Sequence, residues 1–163
     1  MNLIILSGGF GTRLKKISNG KPKALLPIGN GVYLDLLLDR IMQYNINQIF
    51  LSLYYKPELF LEYIIKAKYK NIITPIIEPE PLGTGGAIKY VIQNTSIIHP
   101  FFVINGDSLS DINLDQMLKE FEIQNFTAMV GISRVKNAKR YGTVKEKNGQ
   151  VLFFDEKTNS NSK

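Results

Sequence analysis

Cysteine is absent from the 163 residues, so the chain has no disulfide framework, no zinc-thiolate cluster and no thiol nucleophile, and nothing marks an oxidising compartment. Its one histidine, His99, stands before Pro100 with no candidate partner nearby and reads as a strand-edge residue rather than a base or metal ligand. No apolar run approaches the roughly 20 residues of a membrane span. The opening run Leu3–Leu6 is too short, with no basic residue ahead of it, for a signal peptide. A soluble, cytoplasmic protein with no membrane partner is expected. There is no internal repeat, and the segment Lys157–Lys163 is the one stretch that is small and polar throughout.

What is present is a globular composition. Hydrophobic residues make up 44% and charged residues 21% of the chain, which excludes a disordered protein. The length matches one domain of roughly 150 residues. Twenty Lys and Arg against fourteen Asp and Glu give a net charge of +6. Such a balance suits nucleic acid, an anionic surface or a small molecule with several phosphates. Position narrows the choice: Lys15, Lys16, Lys21 and Lys23 cluster with Arg13 beside a glycine-rich segment, whereas Lys56, Lys66, Lys68 and Lys70 read as the solvated face of one helix. With no zinc finger, RNP-type motif or arginine-rich arm, no nucleic-acid partner is expected.

Hydrophobic patterning alternates between short apolar runs and helical spacing. Leu3–Leu6 reads as a strand buried on both faces. Tyr33–Tyr44 then places Leu34, Leu37, Leu38 and Ile41 on one helical stripe. Strands are expected at Ile49–Leu53, Ile72–Ile77, Phe101–Ile104 and Ala128–Ser133, and helices at Pro57–Ala67, Thr84–Gln93 and Leu114–Ile123. Asp111 and Asp115 read as residues at the start of that last helix. Asn148-Gly149, between Gly142–Glu146 and Val151–Phe154, predicts a hairpin. The expected fold is α/β: a Rossmann-like three-layer sandwich with a mostly parallel sheet and a C-terminal β-hairpin.

Ligands of such sheets bind beyond the carboxyl ends of the strands. Three segments stand there: Ser7–Arg13, Glu78–Gly86 and Asn105–Ser108. In the first, Gly8, Gly9 and Gly11 let backbone N–H groups converge on a polyphosphate, and Arg13 adds a permanently charged fork. It is neither a Walker A loop nor a dinucleotide fingerprint, since Leu14 occupies the third glycine position. Read alone, it is equally a glycine-rich turn with a surface arginine. Lys23 follows Pro22, whose ring stiffens the backbone and helps aim the lysine. Asp107 puts a hard oxygen at the ligand-binding edge, and taken alone it also fits a simple turn cap. Tyr54-Tyr55 and Phe101-Phe102 read as core or pocket-wall aromatics.

Gly8-Gly-Phe-Gly-Thr-Arg-Leu14 followed by Pro22-Lys-Ala-Leu-Leu-Pro-Ile28 resembles the signature of sugar-1-phosphate nucleotidylyltransferases. Pro81–Ala87 resembles that family's nucleoside-reading loop, Asn105-Gly-Asp107 its metal-binding turn, and Phe154–Lys157 its F-x-E-K element, all in the family's order. Glu78–Ala87 looks most like the enzymes that make GDP-activated heptose from D-glycero-D-manno-heptose 1-phosphate.

The resemblance implies transfer of a nucleotidyl group to a sugar 1-phosphate, with pyrophosphate released and Mg2+ as cofactor. It implies that Leu6, Gly8, Gly9, Gly11, Thr12, Arg13, Glu78, Gly83, Thr84 and Asp107 bind the nucleotide. Catalytic roles fall to Arg13 on the β- and γ-phosphates, Lys23 on the attacking and α-phosphates, and Asp107 as metal ligand. Lys157 would bind the sugar phosphate, although Thr158 replaces the proline that usually follows. Guanine offers two adjacent donors that a carboxylate accepts together. Glu78 supplies one five residues before Gly83, where uridine- and thymidine-using members commonly place glutamine, so GTP is the favoured triphosphate. Glu80 is the neighbouring candidate, and both also read as solvated loop acids.

Two further readings compete: a nucleotide or NDP-sugar binding module without full catalytic equipment, and a cytidylyl- or uridylyltransferase of the same superfamily. The family draws its second metal carboxylate from farther along than residue 163. The expectation is a nucleotidyltransferase domain over residues 1–157 lacking its C-terminal part, with a polar tail at 158–163. A homo-oligomer is compatible with the resemblance.

Overall fold

The structure is a computed structural model that describes residues 1–11, 18–135 and 142–155. The chain forms two compact units, Met1–Asp111 and Ile112–Lys163.

The first unit is built on four parallel strands: β1 (Asn2–Leu6), β4 (Gln48–Leu53), β5 (Ile73–Ile77) and β6 (Phe101–Asn105). They lie in the order β5-β4-β1-β6. Asn2 pairs with Gln48 on one side and Phe101 on the other, and the register carries Leu6 between Ser52 and Asn105. A two-stranded antiparallel ribbon, β2 (Pro27–Ile28) and β3 (Gly31–Val32), leads into helix α1 (Tyr33–Ile41). Helix α2 (Pro57–Lys66) follows β4, and α3 (Gly83–Asn94) follows β5.

The period-2 alternation of β1 distributes these helices over two faces. Leu3 and Ile5 pack with Leu34, Leu37, Leu38 and Ile41 of α1 and with Phe60 and Ile64 of α2. Ile4 points the other way, with Phe50, toward Val91 of α3 and Ile97. This is the expected three-layer α/β arrangement.

Local chemistry explains the helix starts. Asp35, in the first turn of α1, accepts the Val32 N–H at 2.8 Å and the Tyr63 hydroxyl at 2.6 Å. Burial and that bond to Asp35 push the Tyr63 phenol well above its usual range. Pro57 opens α2, where its missing N–H and fixed φ are tolerated. The stripe that predicts α1 runs to Tyr44, yet the helix ends at Ile41 and a turn bonds Tyr44 N–H to the Ile41 carbonyl at 3.0 Å.

The second unit contains α4 (Leu114–Gln124) and the hairpin β7 (Thr143–Lys147) and β8 (Gln150–Asp155). The hairpin turns on Asn148 and Gly149, both at positive φ as a primed turn requires. Asn113 caps α4 by accepting the Gln116 N–H at 3.0 Å. Asp111 does not serve that helix start; its carboxylate receives Arg40 at 3.2 Å. The strand expected at Ala128–Ser133 is not formed. Its alternating pattern supplies one partly buried residue, Met129, and it has no ladder partner among the described residues.

Leu38 is 1% exposed and Leu36, on the same helix, 46%. Leu38→Ala should lower unfolding free energy by about 2–5 kcal/mol through lost burial and a residual cavity. Leu36→Ala should stay within about 0.5 kcal/mol of the parent. Urea denaturation checks both.

Candidate functional site

Because β1 lies between β4 and β6, the chain leaves β1 toward one neighbour and returns later to the other. The carboxyl ends of β1 and β6 therefore flank a topological switch point, where open α/β sheets hold their ligands. A cleft of about 420 Å³ opens there. Its walls come from the loop after β1 (Ser7–Gly11), the loop after β6 (Asn105–Asp107), Pro22–Ala24, and the segment from Glu78 to the start of α3.

Close backbone approach at the switch point depends on Gly106. Its N–H donates to the Leu6 carbonyl at 2.8 Å. A Cβ at this position would meet Ser7 Oγ and stand 3.0 Å from that carbonyl, so a side chain there would force the Ser7 hydroxyl to turn and the strand end to give. The loop after β1 is further held by the ring of Phe10, which sits 5.7 Å from Tyr54 and 5.6 Å from Tyr55.

Lys23 and Asp107, 84 residues apart in sequence, meet across the cleft. Lys23 Nζ donates to Asp107 Oδ2 at 2.9 Å and to its backbone carbonyl at 3.3 Å. Pro22, in an extended conformation with ψ 142°, precedes the tight 3-10 turn Lys23–Leu25 and directs the lysine inward. Ser108 donates to the other oxygen, Oδ1, at 3.2 Å. Burial, and then the negative charge of Asp107, raise the pKa of the Tyr33 phenol, which stays neutral.

Glu78 is a different kind of carboxylate. It is 6% exposed and lines the cleft, with Ser52 Oγ donating to Oε1 at 2.7 Å and Leu82 N–H approaching Oε2 at 3.4 Å. Glu80 is exposed and lies outside the cleft lining. A solvated loop acid is therefore the right description of Glu80 and the wrong one for Glu78.

The structure thus brings together Leu6, Gly8, Gly9, Gly11, Lys23, Glu78, Gly83, Thr84 and Asp107 of the sequence-derived set. Thr12, Arg13 and Lys157 lie outside the described residues. Two residues were missed. Ser52 is wholly buried in β4, where a lone hydroxyl among Ile49, Phe50, Leu51 and Leu53 was a readable signal. Ser7 Oγ is buried in the cleft wall with no hydrogen-bond partner among the described residues, which suits a hydroxyl that a ligand completes.

The donor set accommodates a divalent ion in one way. No group of three or more metal-ligating side chains occurs among the described residues. Asp107 offers hard carboxylate oxygens at the cleft wall, and one carboxylate completed by substrate phosphates and water is a normal magnesium environment.

Residues 2–162 match the protein family described as Nucleotidyl transferase. The chain belongs to this family. It is 36% identical over 165 residues to D-glycero-alpha-D-manno-heptose 1-phosphate guanylyltransferase of Campylobacter jejuni, covering 96% of this chain and 69% of that protein. The enzyme of the same name from Aneurinibacillus thermoaerophilus is 34% identical, covering 96% and 68%. Among solved structures, HddC from Yersinia pseudotuberculosis complexed with GMP-PN aligns with a TM-score of 0.81 at 31% identity, over 96% of this chain and 69% of that one. The chain is thus a nucleotidyltransferase with the expected α/β fold. Among the described residues no helix is long and apolar enough to cross a membrane.

The Lys23 and Asp107 side chains are 41% and 47% exposed, so their bridge contributes little to folding. Lys23→Met should change unfolding free energy by no more than about 1 kcal/mol. Chemical denaturation showing a larger loss would give the pair a structural role instead of a ligand-binding one.

Proposed function

We propose that this nucleotidyltransferase joins GTP to a sugar 1-phosphate, giving a GDP-sugar and pyrophosphate, with a heptose 1-phosphate as the first sugar to test. The observation that carries the reading is the pairing of two opposite environments in one cleft. One wall holds a buried carboxylate, Glu78, which would receive a base with adjacent donors. The same cleft carries the glycine-rich loop, whose Gly8 lies against Glu78, and Lys23, which would receive phosphates. The guanylyltransferase relatives and the nucleotide-bound HddC structure support the same assignment.

The attacking sugar phosphate is already an anion, so the chemistry needs no general base. It needs several negative groups brought into line and the developing charge stabilised. Guanine N1–H and its exocyclic amine would donate to Glu78, fixing the base near Gly83 and Thr84. The loop Gly8–Gly11 and Arg13 would hold the triphosphate. Lys23 would release Asp107 and neutralise the attacking and α-phosphates, and Asp107 would turn its freed oxygens to Mg2+. The ion would supply Lewis-acid stabilisation of charge on the phosphoryl oxygens. Lys157 would contact the sugar phosphate. In this reading residues 1–157 act as the nucleotidyltransferase domain.

Pyrophosphate release, followed with GTP, CTP, UTP, dTTP and ATP against heptose, mannose and glucose 1-phosphates with and without Mg2+, tests the proposal. Such turnover as the chain supports should be slow, depend on magnesium and require GTP with one of these sugars. Equal use of UTP or dTTP would sink the guanine assignment. Turnover with no sugar phosphate would sink the transfer reaction. Arg13→Ala and Lys23→Met should each lower kcat/KM roughly ten- to a hundredfold, the effect of one lost charge-assisted hydrogen bond. Asp107→Asn should remove the response to Mg2+, and Glu78→Gln should erode the preference for GTP.

A further inference from the structure

We propose that Ser52 is a positioning residue for base selection, its buried hydroxyl fixing the plane of the Glu78 carboxylate so that the free lone pairs face the cleft. The inference rests on the reading of Glu78 as the group that receives the guanine edge. The terminal torsion of a glutamate is broad and nearly two-fold, so a carboxylate held only by its stem swings between orientations. Two parallel hydrogen bonds to a base require one orientation.

The surroundings of Glu78 supply that constraint. Ser52 Oγ, 0% exposed, donates to Oε1 at 2.7 Å, and the Leu82 N–H approaches Oε2 at 3.4 Å. Oε1 also packs against Gly8, where a Cβ would stand 3.1 Å away. A carboxylate has about four lone-pair sites, so one acceptor site per oxygen remains for a ligand. Apart from Gln48 at its first position, β4 is otherwise Ile49, Phe50, Leu51 and Leu53, and a hydroxyl buried there without its acceptor would be unfavourable.

Ser52 also connects the two sides of the cleft through its backbone. Its carbonyl accepts the Ser7 N–H at 2.8 Å, at the start of the loop after β1, and the next carbonyl, that of Leu53, accepts the Glu78 N–H at 2.7 Å. Ser52→Ala keeps both backbone bonds and removes the hydroxyl alone. It therefore separates orientation of the carboxylate from architecture of the sheet.

Isothermal titration of the chain with GTP and with ITP, which lacks the exocyclic amine, provides the test. The parent should bind GTP more tightly than ITP. Ser52→Ala should weaken GTP roughly fivefold, the effect of one modest hydrogen bond, and weaken ITP less, so that the GTP/ITP ratio falls. Ser52→Thr, which retains the hydroxyl, should restore the ratio. In a Glu78→Gln background, Ser52→Ala should leave the ratio where Glu78→Gln alone puts it. Equal weakening of both nucleotides, or an unchanged ratio beside a clear effect of Glu78→Gln, would overturn the role of Ser52 and leave that of Glu78 standing. A parent that does not distinguish GTP from ITP, or a ratio indifferent to Glu78→Gln, would overturn both. Were Ser52→Ala too unstable to titrate, the Ser52→Cys variant decides: its weak S–H donor should lower the ratio, and a parent-like ratio would contradict the proposal.

Discussion

The parallel pairing of β1 with both β4 and β6 is the constraint on which the rest of the first unit depends. Strands that run the same way end at the same edge, so loops far apart in sequence must converge there. The register that sets Leu6 between Ser52 and Asn105 delivers the glycine-rich loop and the Asn105-Gly106-Asp107 turn side by side to the lining of one crevice. Gly106 then permits the two backbones to touch. The hydrophobic layers on both faces of β1 keep that register, because slipping it by one residue would send Leu3 and Ile5 to the wrong side.

Electrostatics divides the cleft into two regions with different rules. The Lys23–Asp107 pair is half exposed, inexpensive to separate and composed of groups that phosphates and a divalent ion would each prefer. Glu78 is buried and already committed on one oxygen to a buried hydroxyl. One region is suited to exchanging partners during a reaction, the other to recognising an edge without rearranging. A nucleotide, with a neutral hydrogen-bonding base and a charged tail, has the same division.

Much of this was legible in the sequence because it is local. Leu34, Leu37, Leu38 and Ile41 define α1 by spacing alone, and the cleft-lining loop after β1 announces itself by following an apolar run. Asn148-Gly149 fixes its hairpin by turn chemistry. Where a strand needs a neighbour, local pattern is insufficient: Ala128–Ser133 alternates like a strand but has no ladder among the described residues. Contacts between distant residues were equally hidden. Nothing in the spacing shows that Lys23 reaches Asp107, that Arg40 takes Asp111, or that Glu78 rather than Glu80 turns inward onto Ser52.

The central claim is that the cleft at the carboxyl edge of the sheet is a guanine-nucleotide site in which Glu78 receives the base and the Lys23–Asp107 pair receives the phosphates and metal. A crystal structure of the chain with Mg2+ and a non-hydrolysable GTP analogue tests it most directly. The account predicts guanine N1–H and its amine on the Glu78 carboxylate, with Ser52 still bonded to Oε1. It also predicts phosphates over Gly8–Gly11 and Lys23 turned away from Asp107 toward them. A base seated away from Glu78, or a Lys23–Asp107 bridge intact beside bound phosphates, would contradict it.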